Sequence, residues 1–156
     1  MKITKAIPSL LQALLLATVA FASEKSEPAV GKNASTKTRI LIHVTQGPEN
    51  PTRAALAFLV AKTALSEGHT VSLFLAGDAV QLLREGVLEN LTGLGTGKLR
   101  DHYDAIVKAG GRFYLSGGSS KARGVVEADL KGRPAEFALP EVLLRLSLEH
   151  DRMFTY

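Results

Sequence analysis

The sequence predicts an α/β fold: a single three-layer domain with a mainly parallel sheet and helices on both faces. Three observations carry the prediction. From Arg39 onward, short apolar runs alternate with helical segments. Ile40-Leu41-Ile42-His43-Val44 is nearly continuous in branched apolar residues, as befits a strand covered on both faces. A chain of 156 residues, 46% apolar and 22% charged, holds one packed core and no second domain. Strand, helix and strand in repetition call for parallel pairing with helical crossovers.

The elements follow in chain order. Gln46-Gly47-Pro48-Glu49 is a turn, and Asn50 caps a helix that opens on Pro51, whose missing N–H costs nothing there. That helix runs to about Glu67 and stops at Gly68. Residues 54–61 are apolar at every position, where a helix with one wet side shows a polar stripe. One face is expected to meet the sheet and the other a second subunit, in preference to cover from the helix's own neighbours alone. Val71-Ser72-Leu73-Phe74-Leu75 is the second strand, followed by Gly77 and a helix start at Asp78. Residues 93–97 form a glycine-bearing loop before a helix over about 99–109, which Gly110 and Gly111 end. Residues 112–115 make the third strand, and a loop over 116–120 leads to a short helix. A helix from near Pro140 to about His150 and the strand Met153-Phe154-Thr155 close the domain.

The N-terminus carries a different signal. Lys2 and Lys5 give a positive start, residues 10–22 are apolar but for Gln12 and Thr18, and Ala20-Phe21-Ala22 supplies a small-x-small pattern before Ser23. This is the layout of a secretory signal peptide over residues 1–22, too short for the roughly 20 apolar residues that a membrane span needs. Residues 23–38 then read as a flexible, polar leader, and residues 39–156 as the folded domain. The mature chain is expected in the periplasm or outside the cell, with no membrane span after cleavage. Lipidation at the junction is excluded, because the chain has no cysteine. The formal charge is +4, two units of which lie on Lys2 and Lys5, and no Lys/Arg run stands out. That balance gives no footprint for nucleic acid. Two tripeptides, Asn33-Ala34-Ser35 and Asn90-Leu91-Thr92, fit the glycosylation sequon, which matters only in a glycosylating host.

Ligands in parallel α/β folds bind beyond the carboxyl ends of the strands. Loops at 45–50, 76–78 and 116–123 converge there. In the last, Ser116-Gly117-Gly118-Ser119-Ser120 precedes Lys121 and Arg123, a composition that suits a small anion and equally a solvated turn with surface cations. The candidate ligand-binding residues are Gln46, Asn50, Asp78, Ser116, Ser119 and Arg123. Gly93-Leu94-Gly95-Thr96-Gly97-Lys98 fails as a phosphate loop. It lacks glycine at Thr92 and a hydroxyl at Leu99, and it follows a helix. The four histidines show no metal-ligand spacing. His43 reads as a hydrogen-bonded core residue, and His69, His102 and His150 as exposed residues at turns or helix ends. A hydrolase would need Ser116 or Ser119 with His43 and Asp78, and no nucleophile elbow surrounds either serine. No cofactor or metal is expected.

Gly47-Pro48-Glu49-Asn50-Pro51-Thr52-Arg53-Ala54-Ala55-Leu56 after the first strand resembles the DsrE/DsrF-like family. So do Gly68-His69-Thr70-Val71, Leu73-Phe74-Leu75-Ala76-Gly77-Asp78, Ala109-Gly110-Gly111 and Ser120-Lys121-Ala122-Arg123-Gly124-Val125. The resemblance implies a parallel α/β sandwich assembling into trimers or hexamers. Sulfur-relay members carry a persulfide on a cysteine just after the third strand, a position that Ser116 fills here. A persulfide needs a low-pKa thiolate, which a serine cannot supply. With no cysteine-dependent sulfurtransferase in view, the Gly/Ser loop and its nearby cations lead to the expectation of an oligomeric binding protein for a small molecule or small anion. The alternatives are a structural or partner-binding protein of the cell envelope and an enzyme of unrecognised non-thiol mechanism.

Overall fold

The computed structural model describes residues 36–156. The signal peptide, nearly all of the leader and the Asn33 sequon lie outside the described residues. Strands β1 (Arg39–Val44), β2 (Thr70–Leu75), β5 (Arg112–Ser116), β6 (Ala135–Ala138) and β7 (Arg152–Thr155) form one sheet in the order β6-β5-β2-β1-β7. All four pairings are parallel, with Ile40 opposite both Val71 and Arg152. The connections are helices α1 (Pro51–Ser66), α2 (Glu85–Asn90), α3 (Leu99–Lys108), α4 (Gly117–Ala122), α5 (Glu127–Leu130) and α6 (Pro140–Glu149), with a 3₁₀ helix at Gly77–Leu83.

Strand order decides which face each helix covers. The chain steps from β1 to β2, β5 and β6 in one direction, and right-handed crossovers put α1, α3 and the α4–α5 segment on one face. The return from β6 to β7 runs the other way, so α6 crosses the opposite face. The larger core lies on the α1 side, where Ile40, Ile42, Val44, Leu73, Leu75 and Phe113 meet Phe58, Tyr103 and Ile106. The α6 side buries only Leu41, Phe74, Ala138 and Leu146. Three layers are present as expected, but they are unequal.

Local chemistry sets the boundaries. The Asn50 side chain accepts from the Arg53 N–H at 3.3 Å to cap α1, and Gly68 ends it at φ +90°, a conformation a side chain resists. The apolar run on α1 has a different explanation from the expected one. Ala54, Ala55, Ala57, Phe58 and Ala61 are buried against the sheet, α3 and a small hairpin, while Leu56 is 36% exposed and Leu59 and Val60 are partly exposed. The chain itself thus supplies most of the cover that was expected of a second subunit. That hairpin, β3 (Thr92–Gly93) with β4 (Gly97–Lys98), replaces the predicted loop. The helix expected at Asp78 is a 3₁₀ segment that gives way to α2.

Outside the core, Arg100 pairs with Glu85, Glu89 and Asp104, and Arg133 pairs with Glu85 while lying 5.4 Å over the Tyr103 ring. The network ties α2 to α3 and to the segment before β6. The Arg133 guanidinium, aided by Arg100, holds the Glu85 carboxyl below its ordinary 4.5. The Arg39 backbone N–H does the same for Asp151, whose ordinary value is 3.8. A carboxylate depressed in the folded state stabilises it above the unfolded pKa, and the contribution is lost as pH falls through the folded value. Thermal unfolding midpoints should hold steady above about pH 5 and fall on further acidification. Glu85→Gln should lower the midpoint at neutral pH and flatten the acid limb.

Candidate functional site

Parallel pairing places the carboxyl ends of β1, β2 and β5 on one edge, and the predicted site residues stand on the segments that leave it. After β1, Thr45 is fixed by its N–H and its hydroxyl, both donating to the Tyr156 carbonyl at 2.8 and 2.9 Å. The Asn50 amide donates to Gln46 Oε1 at 3.4 Å, so these two candidates form a pair at the start of α1. Gly47 lies between this turn and the segment after β2. A Cβ there would come within 2.3 Å of the Asp78 carbonyl oxygen, so the approach requires glycine.

The other four candidates form one connected chain of bonds. The Ser116 hydroxyl oxygen caps α4, accepting from the Ser119 N–H at 3.4 Å. The Ser119 hydroxyl oxygen accepts from the Gly77 N–H at 3.0 Å. Arg123 donates through Nε to Asp78 Oδ1 at 2.7 Å and through Nη1 to the Ser119 carbonyl at 3.4 Å. The predicted loop over 116–120 is thus mostly helix: α4 begins at Gly117, directly after its serine cap. The glycines and serines there resemble a loop by propensity, yet the cap and packing on the 3₁₀ helix override it. Arg84, absent from the candidate set, holds the far end of α4 by donating to the Arg123 and Gly124 carbonyls at 2.8 and 2.6 Å. No short-range pattern marks it, because its partners lie some 40 residues away.

The bonding leaves a defined chemistry. Each serine uses its oxygen as acceptor, so each keeps its O–H proton to donate. Arg123 is charge-matched by Asp78 and retains Nη2. The pair is partly open, with side chains 29% and 48% exposed. The site is therefore an array of donors beside two carboxylates, Asp78 on Arg123 and Glu49 on the Gly47 N–H at 2.7 Å.

The histidines depart from expectation. His43, on β1, faces the α6 side with its ring edge to Phe74, and its Nε2 is buried without a hydrogen-bond partner. Burial lowers its pKa, favouring the neutral ring. With Asp78 committed to Arg123 and His43 Nε2 unbonded, Ser116 and Ser119 form no triad with these two residues. His102 is buried, 7% exposed, with Nε2 2.6 Å from the Thr96 carbonyl, which anchors the hairpin to α3. The spacing of Leu99, His102, Tyr103 and Ile106 is the signal that places it inward. His150 is half-buried, bridging the Leu146 carbonyl and the Ser72 hydroxyl, and His69 is half-buried near Glu67. Among the described residues no three His, Asp or Glu side chains cluster as metal ligands. No helix among the described residues is long and apolar enough to cross a membrane.

Gly47→Ala forces the turn after β1 away from Asp78. Urea unfolding should show a loss of about 1–3 kcal/mol, the usual range for overpacking against a fixed backbone.

Solved structures share this architecture. The ychN protein from E. coli matches with a TM-score of 0.61 at 15% identity, covering 78% of this chain and all of that one. The protein MTH1491 from Methanobacterium thermoautotrophicum gives 0.59 at 15% identity, covering 77% of this chain and all of its own. BT1422 from Bacteroides thetaiotaomicron gives 0.55 at 10% identity, covering 76% and 95%. The last two are described as proteins of unknown function. No curated protein matches the chain. The DsrE/DsrF-like family model matches residues 38–156, the whole of the folded part from the first strand to the C-terminus. Parallel sheet, strand order, motifs and family match agree: the chain belongs to the DsrE/DsrF-like family, as a member without a cysteine and hence without cysteine-dependent sulfurtransferase chemistry.

Proposed function

We propose that this chain is an exported, oligomeric binding protein that takes a small polar molecule or small anion at the carboxyl edge of its sheet. One observation carries the reading. Ser116 and Ser119 use their oxygens inside the fold and keep their hydroxyl protons, beside an Arg123 already held in place by Asp78. Such a donor array suits an acceptor-rich ligand, with Gln46 and Asn50 as neighbouring amides. The arrangement is read as a binding site, and none of its residues is assigned a catalytic role.

The signal-peptide pattern supports export to the periplasm or beyond, where a persulfide-carrying thiol would be prone to oxidation. Native mass spectrometry of the mature protein from its own host's periplasm would expose a bound small mass and the residue at which the chain starts. With that ligand, Ser116→Ala and Arg123→Ala should each weaken affinity about tenfold, the scale of one lost hydrogen bond to a charged partner. Unchanged affinity in both variants would rule out this site.

Association with a partner protein is the second reading, and the exposed leucines of α6 favour it. Leu144 and Leu148, 61% and 78% exposed, lie one turn apart, with Leu139, 67% exposed, just before the helix. On α1, Leu56 is 36% exposed and adds to this reading, whereas Phe58 is fully buried and a polar substitution there would only break the core. The trimer or hexamer that the family resemblance implies would use the same leucines. Leu144→Glu combined with Leu148→Glu should reduce the assembly to monomers in light scattering, with the fold intact by circular dichroism. Retained assembly would place the contact elsewhere.

A further inference from the structure

A second cleft lies on the β6 side of α4, away from the Asp78–Arg123 pair on the 3₁₀ side. It measures about 370 Å³ and is walled by Val125, Val126 and Phe137, with Gly117 and Gly124 completing the lining. That volume and apolar lining fall in the range of small-molecule sites, which carry a few polar groups that fix orientation. Two such groups are present. Ser120 lines the cleft, is 1% exposed, and its hydroxyl has no hydrogen-bond partner. A buried hydroxyl without a partner costs free energy that a ligand can recover. Lys121, also in the lining, is exposed, and no carboxylate among the described residues pairs with it.

Val126 is 54% exposed beside fully packed Val125, so apolar surface is already presented to an incoming molecule. The wall is fixed by the fold: the Val125 N–H donates to the Ser120 carbonyl at 2.9 Å, curling the turn after α4 back over the helix. We infer that this cleft binds a small amphipathic carboxylate, its apolar body against Val125, Val126 and Phe137, its carboxylate at Lys121, and a hydrogen bond to Ser120. This goes beyond the polar site proposed above, and the two use different side chains of α4.

The test is a titration of the isotope-labelled domain with octanoate, and with octanamide as neutral control, followed by NMR at the Val125 and Val126 methyls and the Gly117 and Gly124 amides. Octanoate should shift these signals saturably, and more tightly than octanamide. Lys121→Gln should weaken octanoate about tenfold and leave octanamide unchanged. Ser120→Ala should weaken octanoate severalfold while keeping or raising the thermal midpoint, since it removes an unpaired buried hydroxyl. Arg123→Ala, which dismantles the polar site, should leave octanoate at the cleft. Saturable shifts absent from Val125 and Val126, or equal affinity for both probes in wild type and Lys121→Gln, would overturn the inference. So would octanoate binding that is lost with Arg123→Ala alone.

Discussion

Parallel pairing is the constraint on which everything else in this domain depends. Two parallel neighbours cannot be joined by a tight turn, so each junction must carry a crossover, and the crossover must be right-handed. That rule sends α1, α3 and the α4–α5 segment to one side of the sheet. When the chain passes from β6 back to β7 beside β1, the same rule sends α6 to the other. It also aligns the carboxyl ends of β1, β2 and β5, which is why Gln46, Asp78 and Ser116, far apart in sequence, leave the sheet along one edge.

Within that frame, the absence of cysteine has a structural counterpart. Ser116, where the family resemblance would put a relay thiol, is a serine whose oxygen begins α4. Serine is among the best residues for that task, whereas a thiol sulfur is a weak acceptor. The edge has become a set of fixed hydrogen-bond donors, and Asp78 balances its one guanidinium. An anion approaching Arg123 meets a carboxylate already in possession of Nε, so shape and hydrogen bonding would govern recognition more than net charge.

Much of the fold was legible in the sequence, for reasons that can be named. The branched run at Ile40 to Val44, the Asn50-Pro51 helix start and Gly68 are local signals, and the structure honours each. Strand β6 was not legible: Ala-Glu-Phe-Ala is a half-buried edge too short for its pattern to stand out. The two-residue strands of the hairpin were hidden among glycines. The six candidate site residues stand on the edge that general fold rules indicate, yet their bonding was beyond reach. The contact of Asp78 with Arg123 spans 45 residues, and no local pattern encodes it. On the apolar helix α1, composition suggested a partner, and the chain itself supplies most of the cover while leaving Leu56 exposed.

The unequal layers have a further consequence for how the molecule opens. Helix α6 anchors its face mainly through Leu146, and all four residues of β7 are exposed, so this terminal pair has the fewest buried contacts to lose. Regions of that kind open first, at a free energy well below global unfolding. Detachment of β7 would bare the outer edge of β1, a long and strongly apolar strand. An uncovered edge of that composition invites pairing with any other strand nearby. The last few residues thus cover the edge of the first strand, and loosening them would expose it.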